Sequence, residues 1–76
     1  MEDYHRELLT AARDARSKEV TEYQVNITNF TLAIERIGDD AELQEFKDQL
    51  SGLLVSSTLE QRKAQIMLDV IQSQLE

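Results

Sequence analysis

The chain has 76 residues, a formal net charge of −7, no Cys, no Pro and a single His. This length supports one small domain, which buries only roughly 60% of the surface its unfolded form exposes. Without Cys there are no disulfides and no thiolate metal sites. His5 alone cannot build a His-based metal centre or, with no nucleophile beside it, a catalytic one.

The charge balance narrows the ligand classes. Sequence-independent nucleic-acid binding needs a basic stripe that releases counterions, and the chain has none, so no nucleic acid is expected. The densest acidic group is Glu35, Asp39, Asp40, Glu42, Glu45 and Asp48. It reads as a solvated tip rather than as a mimic of a phosphate backbone. No run approaches the ~18 apolar residues of a membrane span. The opening MEDYHRELL lacks the basic flank of a signal peptide. The expectation is a cytoplasmic protein without a membrane span. In that setting the two Asn-x-Thr triplets beginning at Asn26 and Asn29 are coincidental matches to the glycosylation pattern.

The first predicted element is a helix over about 2–37. From Val20 the apolar residues are Val20, Tyr23, Ile27, Phe30, Ile34 and Ile37, in steps of 3, 4, 3, 4 and 3. That is the seam of a helix packed lengthwise on a neighbour. A strand-like alternation also runs through Tyr23, Val25 and Ile27, but it changes phase before Phe30, whereas the heptad is unbroken. Extended backwards, the seam gives Leu9, Ala12, Arg16 and Val20, with an extra four-step that would locally unwind the packing. A looser N-terminal end is expected there. Glu2 with Arg6, and Asp14 with Lys18, are candidate i,i+4 ion pairs.

A turn is predicted at 38–40. Gly38 suits the residue just past a helix end, where a left-handed backbone is common. Asp39 with Glu42 reads as the capping box of the next helix. So short a connection makes the two helices antiparallel neighbours.

The second helix is predicted over about 41–75. Leu43, Phe46, Leu50 and Leu53 step by 3, 4 and 3. The same register meets Ser57 and Glu60 before recovering at Ala64, Met67 and Ile71. Around this lapse, Val55-Ser56-Ser57-Thr58 either form the polar, slightly kinked middle of a continuous helix, the favoured reading, or split it in two, and Gly52 weakens the zone by about 1 kcal/mol relative to Ala. The fold class is therefore all-α: a single antiparallel helical hairpin over 1–76 with coiled-coil-like packing. Its expected core is Val20, Tyr23, Ile27, Phe30, Ile34, Leu43, Phe46, Leu50 and Leu53.

No phosphate-cradling Gly loop or activated hydroxyl is present, and two helices offer no cavity of ~300 Å³ or more. No enzyme activity, cofactor, metal or small-molecule substrate is expected. The informative feature is surplus apolar surface. Between Ala64 and Ile71, six of eight positions are apolar and point in several directions around a helix. Val25 and Leu32 lie opposite the first seam. One neighbour cannot cover them all, so Ile66, Met67, Val70, Ile71, Val25 and Leu32 are the candidate partner-binding residues. The partner expected is a helical protein, a second copy of the chain, or both.

The segment Leu59-Glu60-Gln61-Arg62-Lys63-Ala64-Gln65-Ile66-Met67-Leu68-Asp69-Val70-Ile71, following the acidic turn Gly38-Asp39-Asp40 and the aromatic Phe46, resembles the small helical-hairpin co-chaperones of type III secretion needle subunits. The resemblance covers residues 38–71, with a longer stretch between turn and aliphatic run than shorter family members have. It implies a co-chaperone that pairs with a helical-repeat chaperone and keeps an aggregation-prone helical subunit from polymerising in the cytoplasm. It also implies docking through Ile66, Met67, Val70 and Ile71, with Phe46 and Leu50 bracing the hairpin. The alternative is a small acidic regulator or inhibitor, such as a phage encodes, that forms a homodimeric four-helix bundle and blocks a protein target through a helix face.

Overall fold

The computed structural model describes residues 2–76; Met1, the first residue of the expected unit, lies outside them. Helix α1 spans Asp3–Ile37 and helix α2 spans Gln44–Leu75, with a short 3-10 turn at Ala41–Leu43 between them. The two helices pack lengthwise, antiparallel, in a rod of 60 × 14 × 14 Å. Among the described residues there is no strand. The chain is an all-α helical hairpin.

The connection is tighter and differently capped than the sequence suggests. Gly38 has φ 53° and ψ −125°, and Asp40 N donates to Ile37 O at 3.1 Å. These are the dihedral angles of the first central residue of a type II′ turn, not of a left-handed helical cap. Only glycine takes that conformation without strain. The next cap is Asp40 rather than Asp39: its Oδ1 accepts from Glu42 N at 3.0 Å. The residues expected to open the second helix instead form the 3-10 turn. From α2, Lys47 Nζ donates to Gly38 O at 2.9 Å, and Gln44 Nε2 donates to Asp40 O at 2.8 Å. A cation is thereby placed at the carbonyl end of α1, where the helix dipole favours it.

Helix α1 packs through the expected seam. Val20, Tyr23, Ile27, Phe30, Ile34 and Ile37 are all half-buried. Towards the N-terminus Leu9, Ala12, Arg13 and Arg16 are half-buried as well. Counting Leu9, Arg13, Arg16 and Val20, the four–three spacing continues without the expected irregularity. Arginine stems cover the seam while their heads stay wet; Arg16 reaches Glu19 at 2.9 Å. The anticipated Asp14–Lys18 pair is not made. Asp14 pairs with Arg13 at 3.2 Å and Lys18 with Glu22 at 3.8 Å.

Helix α2 packs through a different register from the expected one. Its buried side chains are Leu50, Ala64, Leu68 and Ile71. Leu54, Ser57, Gln61 and Leu75 are half-buried between and beyond them. Two of the three expected α2 core residues besides Leu50, Phe46 and Leu53, are 50% and 51% exposed. Leu43 is also exposed, because it closes the 3-10 turn rather than opening the seam. Every second seam position lies one residue later than the apolar pattern indicated. Leu54 and Leu68 take the places assigned to Leu53 and Met67.

The helix neither breaks nor splits at 55–58. Thr58 Oγ1 donates to Leu54 O at 2.8 Å, and Ser51 Oγ to Lys47 O at 3.0 Å. Both hydroxyls are satisfied within the helix by the carbonyl four residues back, so neither needs to cap a new one.

Candidate protein-interaction face

With the register fixed, each helix can be written in heptad positions. On α1, Val20, Ile27 and Ile34 are a and Tyr23, Phe30 and Ile37 are d. On α2, Leu54, Gln61, Leu68 and Leu75 are a and Leu50, Ser57, Ala64 and Ile71 are d. In an antiparallel pair the e positions of both helices border one broad side of the seam, and the g positions border the other.

The e side is polar. It carries Thr10, Ser17, Gln24 and Thr31 from α1 and Ser51, Thr58, Gln65 and Gln72 from α2. Gln61 bonds across it, donating to Gln24 Oε1 at 3.0 Å and to Val20 O at 3.1 Å. These two bonds also set the levels: Gln61 stands opposite Val20 and Gln24.

The g side differs in kind. From α2 it presents Phe46, Leu53, Glu60 and Met67, with Val70 just beyond. Phe46, Leu53, Met67 and Val70 are between 45% and 51% exposed. From α1 it presents Ala12, Glu19, Asn26 and Ala33, flanked by Ala15 and Asn29. A ridge of large apolar side chains thus runs beside a shelf of small ones.

Val55, 70% exposed, is a b residue beside the e side, and four further apolar residues occupy f positions, directly opposite the seam. Val25 and Leu32 sit on the outer edge of α1, 54% and 52% exposed. Leu59 and Ile66 sit on the outer edge of α2, 48% and 62% exposed. The two pairs face away from each other, so the structure does not join Val25 and Leu32 to the α2 cluster.

Of the candidate partner-binding residues, Ile66, Met67, Val70, Val25 and Leu32 are exposed. Ile71 is corrected: it is 7% exposed, a d residue committed to the seam and out of a partner's reach. Phe46 and Leu53 move the other way, from expected core to exposed ridge. Leu59 was missed, although the seven-residue step from Leu59 to Ile66 was readable.

The rest of the surface carries less. An open groove of about 330 Å³ runs along α2, lined by Leu54, Val55, Thr58, Leu59 and Arg62. It reaches the ~300 Å³ not expected of two helices, but as a shallow furrow rather than an enclosure. The acidic group from Glu35 to Asp48 is exposed around the turn, and Asp40 is used there as a cap. Among the described residues, no three His, Asp or Glu side chains are grouped to hold a metal ion, and no helix is long and apolar enough to cross a membrane.

No protein-family model, characterised protein or solved structure matches this chain.

Proposed function

We propose that the hairpin is a non-catalytic protein-interaction module that packs the exposed apolar side of α2 against helices of another polypeptide. One observation carries this reading. The seam consumes only Leu50, Ala64, Leu68 and Ile71 fully, while Phe46, Leu53, Leu59, Ile66, Met67 and Val70 remain in water on the same helix. Covering a Leu or Ile side chain contributes roughly 1.5–3 kcal/mol. An amphipathic partner helix laid along this stripe would meet anchors at helical spacing. In its most specific form, supported by the resemblance of residues 38–71 alone, the module is a co-chaperone that shields a needle-type subunit in the cytoplasm.

Two comparisons test the proposal. The first is co-expression with the helical-repeat chaperone and needle subunit of a type III system, with co-purification as the readout. The second is capture of partners with wild type and with Ile66→Asp. Ile66→Asp should retain the circular-dichroism signal of the hairpin and lose the partner. Phe30→Asp should instead unfold the hairpin, because a seam carboxylate cannot be solvated. Equal capture by wild type and Ile66→Asp would sink the reading.

A further inference from the structure

We infer that the g side is the contact surface for a second copy of this chain, in a dimer whose two-fold axis runs parallel to the helices. The inference rests on the interaction reading above and names the occupant of one part of that surface.

The area argument comes first. A compact monomer of 8.8 kDa exposes about 4,800 Å² by the usual mass scaling. The hairpin exposes 5715 Å², an excess of roughly 900 Å². A stable interface takes about 800 Å² from each partner. The radius of gyration, 17.3 Å, likewise exceeds the about 11 Å of a compact chain of this length. The excess is what one lengthwise contact would remove, turning two hairpins into a four-helix bundle.

Complementarity then selects a second copy and its orientation. A two-fold contact must be self-complementary. The pairing of Gln61 with Val20 and Gln24 puts Ala12 level with Val70, Ala15 with Met67, Glu19 with Lys63, and Asn29 with Leu53. If the axis runs along the rods, α1 of each copy lies on α2 of the other at these same levels. Met67 and Val70 then meet the small Ala15 and Ala12, and Leu53 meets Asn29. Lys63, which pairs with Glu60 at 2.9 Å in its own helix, comes level with Glu19, itself paired with Arg16 at 2.9 Å, while Glu60 comes level with Glu22. Neighbouring helices are antiparallel in either two-fold arrangement, so their dipoles favour both equally. The other two-fold arrangement, with turns at opposite ends, stacks α1 on α1 and α2 on α2. It would set Glu19 and Glu22 against their own copies, Glu60 against Glu60, and Leu53 against Met67.

Turns at the same end bring two acidic tips near each other. Glu35 and Asp48 are b residues and Glu45 is an f residue, so these point away from the contact. The residual repulsion is screened by salt, and the dimer should tighten as ionic strength rises. Val25, Leu32, Leu59 and Ile66 stay on the outer edges, open to a different protein.

The test uses the absence of native Cys. Single-Cys variants are prepared separately and mixed in pairs under mild oxidation. Ala15→Cys mixed with Met67→Cys should give a mixed disulfide dimer. Leu53→Cys mixed with Met67→Cys should not. Light scattering on the unmodified chain should report twice the chain mass at micromolar concentration, and Ala15→Glu should halve it with helix content unchanged. A monomeric wild type, or cross-linking in the Leu53/Met67 mixture in place of the Ala15/Met67 one, overturns the assignment. The two readings fail separately. A monomer that still loses its partner through Ile66→Asp removes the dimer alone. A dimer whose partner capture ignores Ile66→Asp removes the hetero-complex alone.

Discussion

Gln61 reaches across the hairpin to Gln24, Nε2 to Oε1 at 3.0 Å, and shares the same amide with Val20 O at 3.1 Å. These bonds sit midway along the rod, where the polar Ser57 and Gln61 occupy adjacent seam positions of α2 between Leu54 and Ala64. A polar residue at one a position fixes register at a cost in stability. Gln61→Leu should therefore raise the urea midpoint, by an amount equivalent to about 1 kcal/mol. A lower midpoint would show that the amide contributes more than the leucine's buried area.

The register of α2 is tested by two adjacent leucines. Leu54 is a half-buried seam residue, and Leu53 is 51% exposed on the ridge. In the isolated hairpin, Leu54→Ala should cost about 2 kcal/mol and Leu53→Ala well under about 1 kcal/mol. Equal losses in equilibrium denaturation would return the seam to the register suggested by the apolar pattern.

The two glycines should respond in opposite directions. Gly38 holds φ 53°, and Gly38→Ala should destabilise by about 1–3 kcal/mol through backbone strain. A Cβ at Gly52 would meet nothing within 4 Å. Gly52→Ala should stabilise by about 1 kcal/mol, because alanine is the better helix former and loses less backbone entropy. Thermal melts of the two variants alongside wild type check both signs.

Lys47 offers a fourth check. Its ammonium bonds Gly38 O at 2.9 Å, and its stem fills the seam position nearest the turn. Lys47→Ala should cost about 1 kcal/mol. Lys47→Met should recover the packing share but not the salt-sensitive share. Denaturation at low and high salt separates the two contributions.

Helix α1 was readable because one apolar series at heptad spacing runs unbroken through it, Val20, Tyr23, Ile27, Phe30, Ile34 and Ile37, while Val25 and Leu32 lie on the opposite face and supply no neighbouring register. In α2 the pairs Leu53-Leu54 and Met67-Leu68 supply apolar side chains to two neighbouring registers. Phe46 tipped the reading towards the ridge, and Lys47 concealed the seam because its role at the turn is capping as well as packing. Ser57 and Thr58 resembled a helix start because the bond from Thr58 to the carbonyl four residues back cannot be distinguished from capping in a one-dimensional pattern. The exposed cluster around Ile66 was legible from its density alone. Which of its members faced the seam depended on the register, which exchanges Met67 for Leu68; Ile71 lies in the seam in either register and was counted with the exposed cluster only for its place in the apolar run.

Three of the four buried side chains, Ala64, Leu68 and Ile71, lie in the half of α2 far from the turn. The start of α1 and the finish of α2 are therefore clasped by the firmest packing in the molecule. Tension applied between those two ends would load this clasp first, and the packing of Leu50 and the bonds of Lys47 and Gln44 at the turn would be the last to part.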